Sequence, residues 1–257
     1  MTGPIRTLLQ RLRYPRMVSL PGPHGPLRFR VHNPIEEYRT AGYGGEQEFL
    51  ERFTAELVPE DVVFDIGASI GLMTVFAAAA APLGRVCAFE PDPATARRLA
   101  RNVRLNRLSN VEIVSWAVGE REERTTLFTD GPGGNAPTLR RQQGREGTPS
   151  GTVEVPVRTL DTALLEGALP HPSVLKIDIE GAEILCLRGA ERLLSGRFGI
   201  RPRILFLEVH PAYLPAFGAT AAEVTGLVEA LGYQVRWRGE RGDQVHYCYT
   251  PSPGVTI

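Results

Sequence analysis

Val62-Val63-Phe64-Asp65-Ile66-Gly67-Ala68-Ser69-Ile70-Gly71 decides how this chain folds. Val62–Ile66 is a short, mostly apolar run and predicts a buried strand. Gly67 and Gly71 then mark a tight turn where backbone can approach a ligand. The apolar run 72–83 predicts a buried helix, because it is too short to cross a bilayer. Strand, glycine turn and helix together form the opening unit of a parallel α/β sheet.

The same alternation continues on both sides. Upstream, Phe49, Phe53 and Leu57 make a helical stripe over 46–57, ended by Pro59-Glu60-Asp61. Downstream, strands are predicted at 85–90, 111–117, 153–157, 174–179 and 204–209. Helices are predicted at 94–105, 160–165, 182–188 and 221–231. Residues 234–237 and 246–249 read as a terminal antiparallel hairpin. The fold class is therefore α/β, a Rossmann-like, doubly wound and mostly parallel sheet. Residues 1–45, rich in Arg, Pro and Gly, read as an N-terminal extension with one short hairpin around 27–32. Residues 46–250 form the main domain and 251–257 a tail. The Gly-rich stretch 130–151 is long for an internal loop and suits a lid.

Composition narrows the function. The 257 residues are 42% hydrophobic and 23% charged, ordinary values for a globular protein. With 29 basic against 29 acidic residues, no global field favours nucleic acid or an anionic membrane. Cys87, Cys186 and Cys248 are far apart and form no CxxC pair, which argues against a zinc site and suits a reducing cytoplasm. The N-terminus has arginines but no apolar core of a signal peptide. Lys176 is the single lysine. Either base composition has replaced the others by arginine, or position 176 needs an ammonium.

The turn's chemistry points to a donor. Free N–H groups at the start of a helix could hold a pyrophosphate. Asp65, at the carboxyl end of its strand, would repel one. A carboxylate there suits a cationic or hydroxyl-bearing ligand, and the methionine ammonium of S-adenosylmethionine fits. Glu90 ends the next strand nineteen residues after Gly71, where an acidic side chain accepts hydrogen bonds from ribose hydroxyls. Gly67, Ala68, Ser69 and Gly71 then form the donor loop. Phe89 either covers an adenine face or belongs to the core. Ser115 is placed to bond the adenine amine, and Trp116 either stacks or packs inside. A dinucleotide-dependent oxidoreductase is the competing enzyme reading, but Ser69 stands where GxGxxG needs its middle glycine. A non-catalytic S-adenosylmethionine-binding protein is the alternative from another class.

From about Glu46 to about His210 the chain resembles the FkbM-type family of class I S-adenosylmethionine-dependent methyltransferases. The resemblance rests on 64–71, on Phe89-Glu90-Pro91 and on Asn102 with Asn106. It continues through Thr159-Leu160-Asp161, Lys176-Ile177-Asp178-Ile179-Glu180-Gly181-Ala182-Glu183 and Leu207-Glu208-Val209-His210. It implies a seven-stranded sheet and methylation of a sugar or natural-product hydroxyl.

Methyl transfer from a sulfonium requires an oriented acceptor and a place for its proton. Asp178 ends the fourth parallel strand and is expected to face the methyl group or the acceptor hydroxyl. Glu183 is explained by the helix dipole it begins. Lys176 is expected to pair with Glu180 or Glu208, to polarise the acceptor, or to act as base if its pKa is lowered. His210 suits a base, a metal ligand or a cap before Pro211. Asp178, Glu208 and His210 are the candidate ligands of a divalent cation. The loop around Asn135 and Thr138 is expected over the cleft. Arg140, Arg141 and Arg145 read as a solvated charge run or as a grip on an anionic acceptor. The expected partner is a small-molecule hydroxyl acceptor, not nucleic acid or membrane.

Overall fold

The computed structural model describes residues 13–129, 137–140 and 151–254. The central sheet has seven strands: β3 (Val62–Ile66), β4 (Arg85–Phe89), β5 (Val111–Val114), β9 (Val174–Ile177), β10 (Ile204–Val209), β11 (Tyr233–Arg241) and β12 (Gln244–Pro251). Their order across the sheet is β11-β12-β10-β9-β3-β4-β5. The strands from β10 to β5 are mutually parallel, and β12 runs antiparallel to both neighbours. The doubly wound sheet and terminal hairpin expected from the sequence are present. The chain leaves β3 towards β4 on one side and later returns to β9 on the other. That reversal opens a crevice at the carboxyl ends of β3 and β9, where open α/β sheets bind ligands.

Strand alternation divides the core into two layers. Phe64, Ile66, Leu175 and Ile177 face one side, under α5 (Leu160–Leu165), α6 (Glu183–Arg188) and α8 (Ala221–Ala230). Val63, Val86, Val174 and Phe206 face the other, under α2 (Gln47–Ala55), α3 (Leu72–Ala80) and α4 (Pro93–Leu105). Caps fix the ends. Asp92 accepts from Ala94 and Thr95 N–H ahead of Pro93 at the start of α4, and Thr220 with Glu223 forms a capping box on α8.

Three local differences from the sequence reading have physical causes. The strand expected over 111–117 breaks after Val114, and Ala117–Val118 (β6) leaves the main sheet. It joins β8 (Gly151–Arg158) and β7 (Glu123–Thr129) in a separate three-stranded sheet, so the strand expected at 153–157 never enters the central one. Periodicity cannot tell which sheet a strand joins. The N-terminal region holds more than a short hairpin. β1 (Arg16–Gly22) and β2 (Gly25–Val31) pair over their full length, and α1 (Pro34–Ala41) follows. Phe29 and Val31 are buried in the same layer as Phe49 and Phe53. Asn102 accepts from the N–H of Arg30, and Asn106 both accepts from Arg28 N–H and donates to its carbonyl. Asn102 of α4 and Asn106 at its C-cap thus add polar pins to that apolar contact. Apart from 137–140 and 151, the loop expected over 130–151 lies outside the described residues, as do Asn135, Arg141 and Arg145. Among the described residues no helix is long and apolar enough to cross a membrane.

Candidate functional site

The donor loop is held by its own strand ends. Gly67 has φ +84°, and a Cβ there would lie 1.8 Å from the Asp178 carbonyl oxygen. Only glycine lets β3 and β9 end this close together. Gly67 and Ala68 N–H both donate to the Phe89 carbonyl, at 3.1 and 3.0 Å. Ser69, itself left-handed at φ +51°, donates its N–H to Glu90 Oε2 at 3.0 Å. Asp92 N–H donates to Oε1 at 2.9 Å. Three loop N–H groups that a pyrophosphate would need are already taken, which weighs against the dinucleotide reading. Glu90 is buried, and burial pushes its carboxyl up to about 8. Each of its oxygens accepts one backbone bond and keeps a lone pair for a ribose hydroxyl. Gly71, at φ +95°, caps α3 without a side-chain bond; a Cβ there would meet Leu99 Cδ1 at 2.4 Å.

Asp65 is fully buried and already neutralised. Lys176 Nζ lies 3.0 Å from its Oδ1, and Thr74 Oγ1 donates to its Oδ2 at 2.5 Å. Lys176 also reaches Asp178 Oδ2 at 3.5 Å and the Gly67 carbonyl at 3.3 Å. Its partners are therefore Asp65 and Asp178, in place of the Glu180 or Glu208 expected from the sequence. Burial opposes the charge of Lys176, but the carboxylates of Asp65 and Asp178 outweigh it and raise its pKa above the ordinary value. A raised pKa removes Lys176 as a base and leaves it a fixed cation. Asp178 is the reverse: burial would raise its pKa, but Lys176, His210 and Arg39 lower it, so it stands ionised beside the loop.

His210, at the end of β10, is the centre of a carboxylate ring. Its Nδ1 lies 2.6 Å from Glu183 Oε1, while Nε2 lies 3.5 Å from Glu180, 3.7 Å from Asp178 and 3.7 Å from Glu208. Tyr213 stacks on the ring at 5.8 Å. Burial lowers the His210 pKa, but the bond to Glu183 and the charges of Glu180, Glu183 and Glu208 push it up to about 10. In this arrangement the imidazole is protonated at neutral pH and is not a base. Glu183 is thus a partner of His210 as well as the first residue of a helix. Glu180 takes φ +50°, which folds its carboxylate back towards His210, and burial pushes it up to about 7. Arg241 donates to Glu208 Oε1 at 3.2 Å, and His246 Nε2 lies 3.2 Å from Oε2 without hydrogen-bond geometry.

The cleft between these groups is lined by Gly67, Ser69, Glu90, Asp178, Glu208 and His210 among others. Phe89 contributes to the wall but is 1% exposed and meets Trp116 edge-on at 5.0 Å, so its main role is in the core. Trp116 lines the cleft; Ser115 is exposed and does not. The strand break after Val114 turns Ser115 outwards. Pro137 and Leu139, beside Thr138, do border the cleft. Arg140 donates to the Ala216 carbonyl and lies over the Phe217 ring at 5.5 Å.

Several lining residues had no signal in the sequence. Glu46, read only as the start of a helical stripe, pairs with Arg241 at 2.8 Å, and burial with Glu208 and Asp178 nearby pushes it up to about 8. Arg39, on α1, donates to Ser69 Oγ at 2.6 Å and brings the N-terminal region to the donor loop. Tyr38, Tyr43 and Gln244 complete the open end. His246 carries no partner spacing along the chain, because its place opposite Glu208 depends on the register of β10 with β12.

Residues 65–235 match the methyltransferase FkbM domain, well over half of the chain. This protein belongs to the FkbM methyltransferase family. The family's enzymes use S-adenosylmethionine, and the Glu90 carboxylate and glycine loop fit that donor. The chain is 30% identical to the 31-O-demethyl-FK506 methyltransferase FkbM of Streptomyces tacrolimicus, over 74% of this chain and 83% of that one. It is 25% identical to the hexuronic acid methyltransferase AglP of Haloferax volcanii, over 73% and 72% respectively. It is 29% identical to the AMB antimetabolite synthetase AmbE of Pseudomonas aeruginosa over 80% of this chain, which spans only 11% of that much longer protein. In this FkbM-family chain, the matched region contains the donor loop, Glu90, Asp178 and His210.

Proposed function

We propose that this FkbM-family enzyme transfers the S-adenosylmethionine methyl group to a hydroxyl of a sugar or natural-product small molecule. The observation that carries the reading is the contact between Gly67 and Asp178. The donor loop packs so tightly on the Asp178 carbonyl that the ionised Asp178 side chain stands at the loop's edge. A methyl carbon presented by the loop then faces a carboxylate that can orient an acceptor O–H. In this reading the donor is held by the loop from Gly67 to Ile70 and by Glu90, with Phe89 and Trp116 on the base side.

Beyond Asp178, Glu180, Glu208 and His210 offer acceptors and donors to a polyhydroxylated molecule, and Tyr38, Tyr43 and Tyr213 offer ring faces. Two relatives support the acceptor class by name, one a hexuronic acid methyltransferase and one a methyltransferase for 31-O-demethyl-FK506. The balanced net charge favours a small molecule over nucleic acid. A cytoplasmic location is part of this proposal, supported by Cys87, Cys186 and Cys248 as buried free thiols.

A screen with methyl-labelled S-adenosylmethionine against hexuronic acids, neutral glycosides, hydroxylated macrolides and ribosomal RNA tests the reading. Label on a sugar or macrolide hydroxyl is expected. Label on RNA, or on an amine alone, overturns it.

A further inference from the structure

The sequence suggested Asp178, Glu208 and His210 as ligands of a cation. The geometry points to a different set: we propose that Asp178, Glu180 and His210 bind a hard divalent cation, Mg²⁺ or Mn²⁺. Its place at the acceptor end rests on the methyltransferase reading; the binding itself does not.

The orientation of His210 is the first argument. A carboxylate only accepts, so the 2.6 Å contact assigns the Nδ1 proton to a bond with Glu183. That carboxylate–histidine pair is the arrangement that fixes ligand histidines at metal centres. The ring is 2% exposed, and its Nε2 points into the carboxylates of Asp178 and Glu180 at 3.7 and 3.5 Å. Those separations are too long for good N–H···O bonds.

Ligand spacing is the second argument. One ligand atom each from Asp178, Glu180 and His210 lie within 4.8 Å of one another. A cation about 2.1–2.4 Å from each ligand needs them about 3.0 Å apart when adjacent and about 4.8 Å when opposite. Glu208 fits a set with His210 less well than the sequence suggested: its spacing groups it with Glu46 and Asp178 instead, and Arg241 lies 3.2 Å from its Oε1. Glu180 replaces it through its left-handed backbone at φ +50°. Two carboxylates and one imidazole favour Mn²⁺ or Mg²⁺ over thiophilic metals. Three protein ligands leave positions open for water or an acceptor oxygen, whose proton a bound cation makes more acidic.

The test uses the full chain after chelator treatment, with free Mn²⁺ counted by electron paramagnetic resonance and Mg²⁺ as competitor. Stoichiometric Mn²⁺ binding is expected. Glu180→Gln and His210→Gln should each weaken it by about tenfold or more, and Glu208→Gln by less. Calorimetry with S-adenosylhomocysteine shows that each variant is folded. Wild-type protein that binds S-adenosylhomocysteine but no Mn²⁺ overturns the cation site alone. Mn²⁺ affinity unchanged in both Glu180→Gln and His210→Gln also overturns it. Wild-type protein that binds Mn²⁺ but not S-adenosylhomocysteine supports the site and counts against the methyltransferase reading instead.

Discussion

His210 Nδ1 lies 2.6 Å from Glu183 Oε1, with both side chains shielded from solvent. The pair joins the end of β10 to the start of α6 beneath the cleft. In metal-free protein the His210 pKa is raised from its ordinary 6.5 to about 10. A raised folded-state value stabilises the fold fully below the unfolded pKa, and that stabilisation is lost as pH rises through the folded one. Urea denaturation of chelator-treated protein should therefore show stability falling between about pH 6.5 and 10. Glu183→Gln should cost about 1–3 kcal/mol at pH 7 and flatten that slope. A slope unchanged in Glu183→Gln would detach the pair from the effect.

Glu90 gives a second pH signature. Burial holds its carboxyl at about 8, so much of it is protonated at pH 7. Ribose hydroxyls donate hydrogen bonds and favour the ionised form, so donor binding lowers this pKa and releases a proton. Calorimetry with S-adenosylhomocysteine in buffers of different ionisation enthalpy should detect that release at pH 7. Affinity should rise towards pH 9. Glu90→Ala should weaken binding by at least about tenfold, roughly 1.4 kcal/mol. Binding that takes up a proton, or an unaltered affinity in Glu90→Ala, would remove the ribose role.

Asn102 couples the N-terminal hairpin to the donor loop. Its Oδ1 accepts from Arg30 N–H at 2.9 Å, and its Nδ2 donates to the Ile70 carbonyl at 2.9 Å. Replacing it by Ala leaves both backbone groups without that partner. Asn102→Ala should cost about 1–3 kcal/mol in thermal or urea unfolding. It should also weaken S-adenosylhomocysteine binding, although no atom of Asn102 need touch the ligand. Asn106→Ala, which removes only the hairpin bonds and one helix bond, should lower stability with a smaller effect on binding. Equal binding losses in the two variants would refute the coupling through Ile70.

How much of this was legible follows from how local each feature is. The loop from Asp65 to Gly71 and the carboxylate at Glu90 sit at consecutive strand ends, so order along the chain was enough to place them. Asp178 and His210 end adjacent strands and were also within reach of topology. What converges on them is not local. Glu208 meets His246 only because β12 inserts between β10 and β11, and the register sets that pair. Arg39 reaches Ser69 only because the N-terminal hairpin is pinned to α4. Glu183 had a sufficient local explanation in the helix dipole, which hid its bond to His210. Ser115 failed for the opposite reason: an apolar run over 111–117 reads as one strand, whereas the chain changes sheets within it.

Asp178 separates donor binding from chemistry. Its main chain is part of the donor loop's support, through the N–H donated to the Ile66 carbonyl at 3.1 Å and the carbonyl packed against Gly67. Asp178→Asn leaves those backbone contacts and the side-chain volume in place. S-adenosylhomocysteine affinity should therefore stay near wild type. The substitution removes the negative charge that faces Lys176, His210 and the acceptor. If that charge orients the hydroxyl and stabilises the transferring methyl group, kcat should fall by about 100-fold or more. Gly67→Ala should behave in the opposite way. Its Cβ would strike the Asp178 carbonyl, so stability and donor binding should both suffer before chemistry is reached. An Asp178→Asn enzyme with full turnover on a confirmed acceptor would take the carboxylate out of the mechanism and leave His210 with Glu180 as the groups to examine.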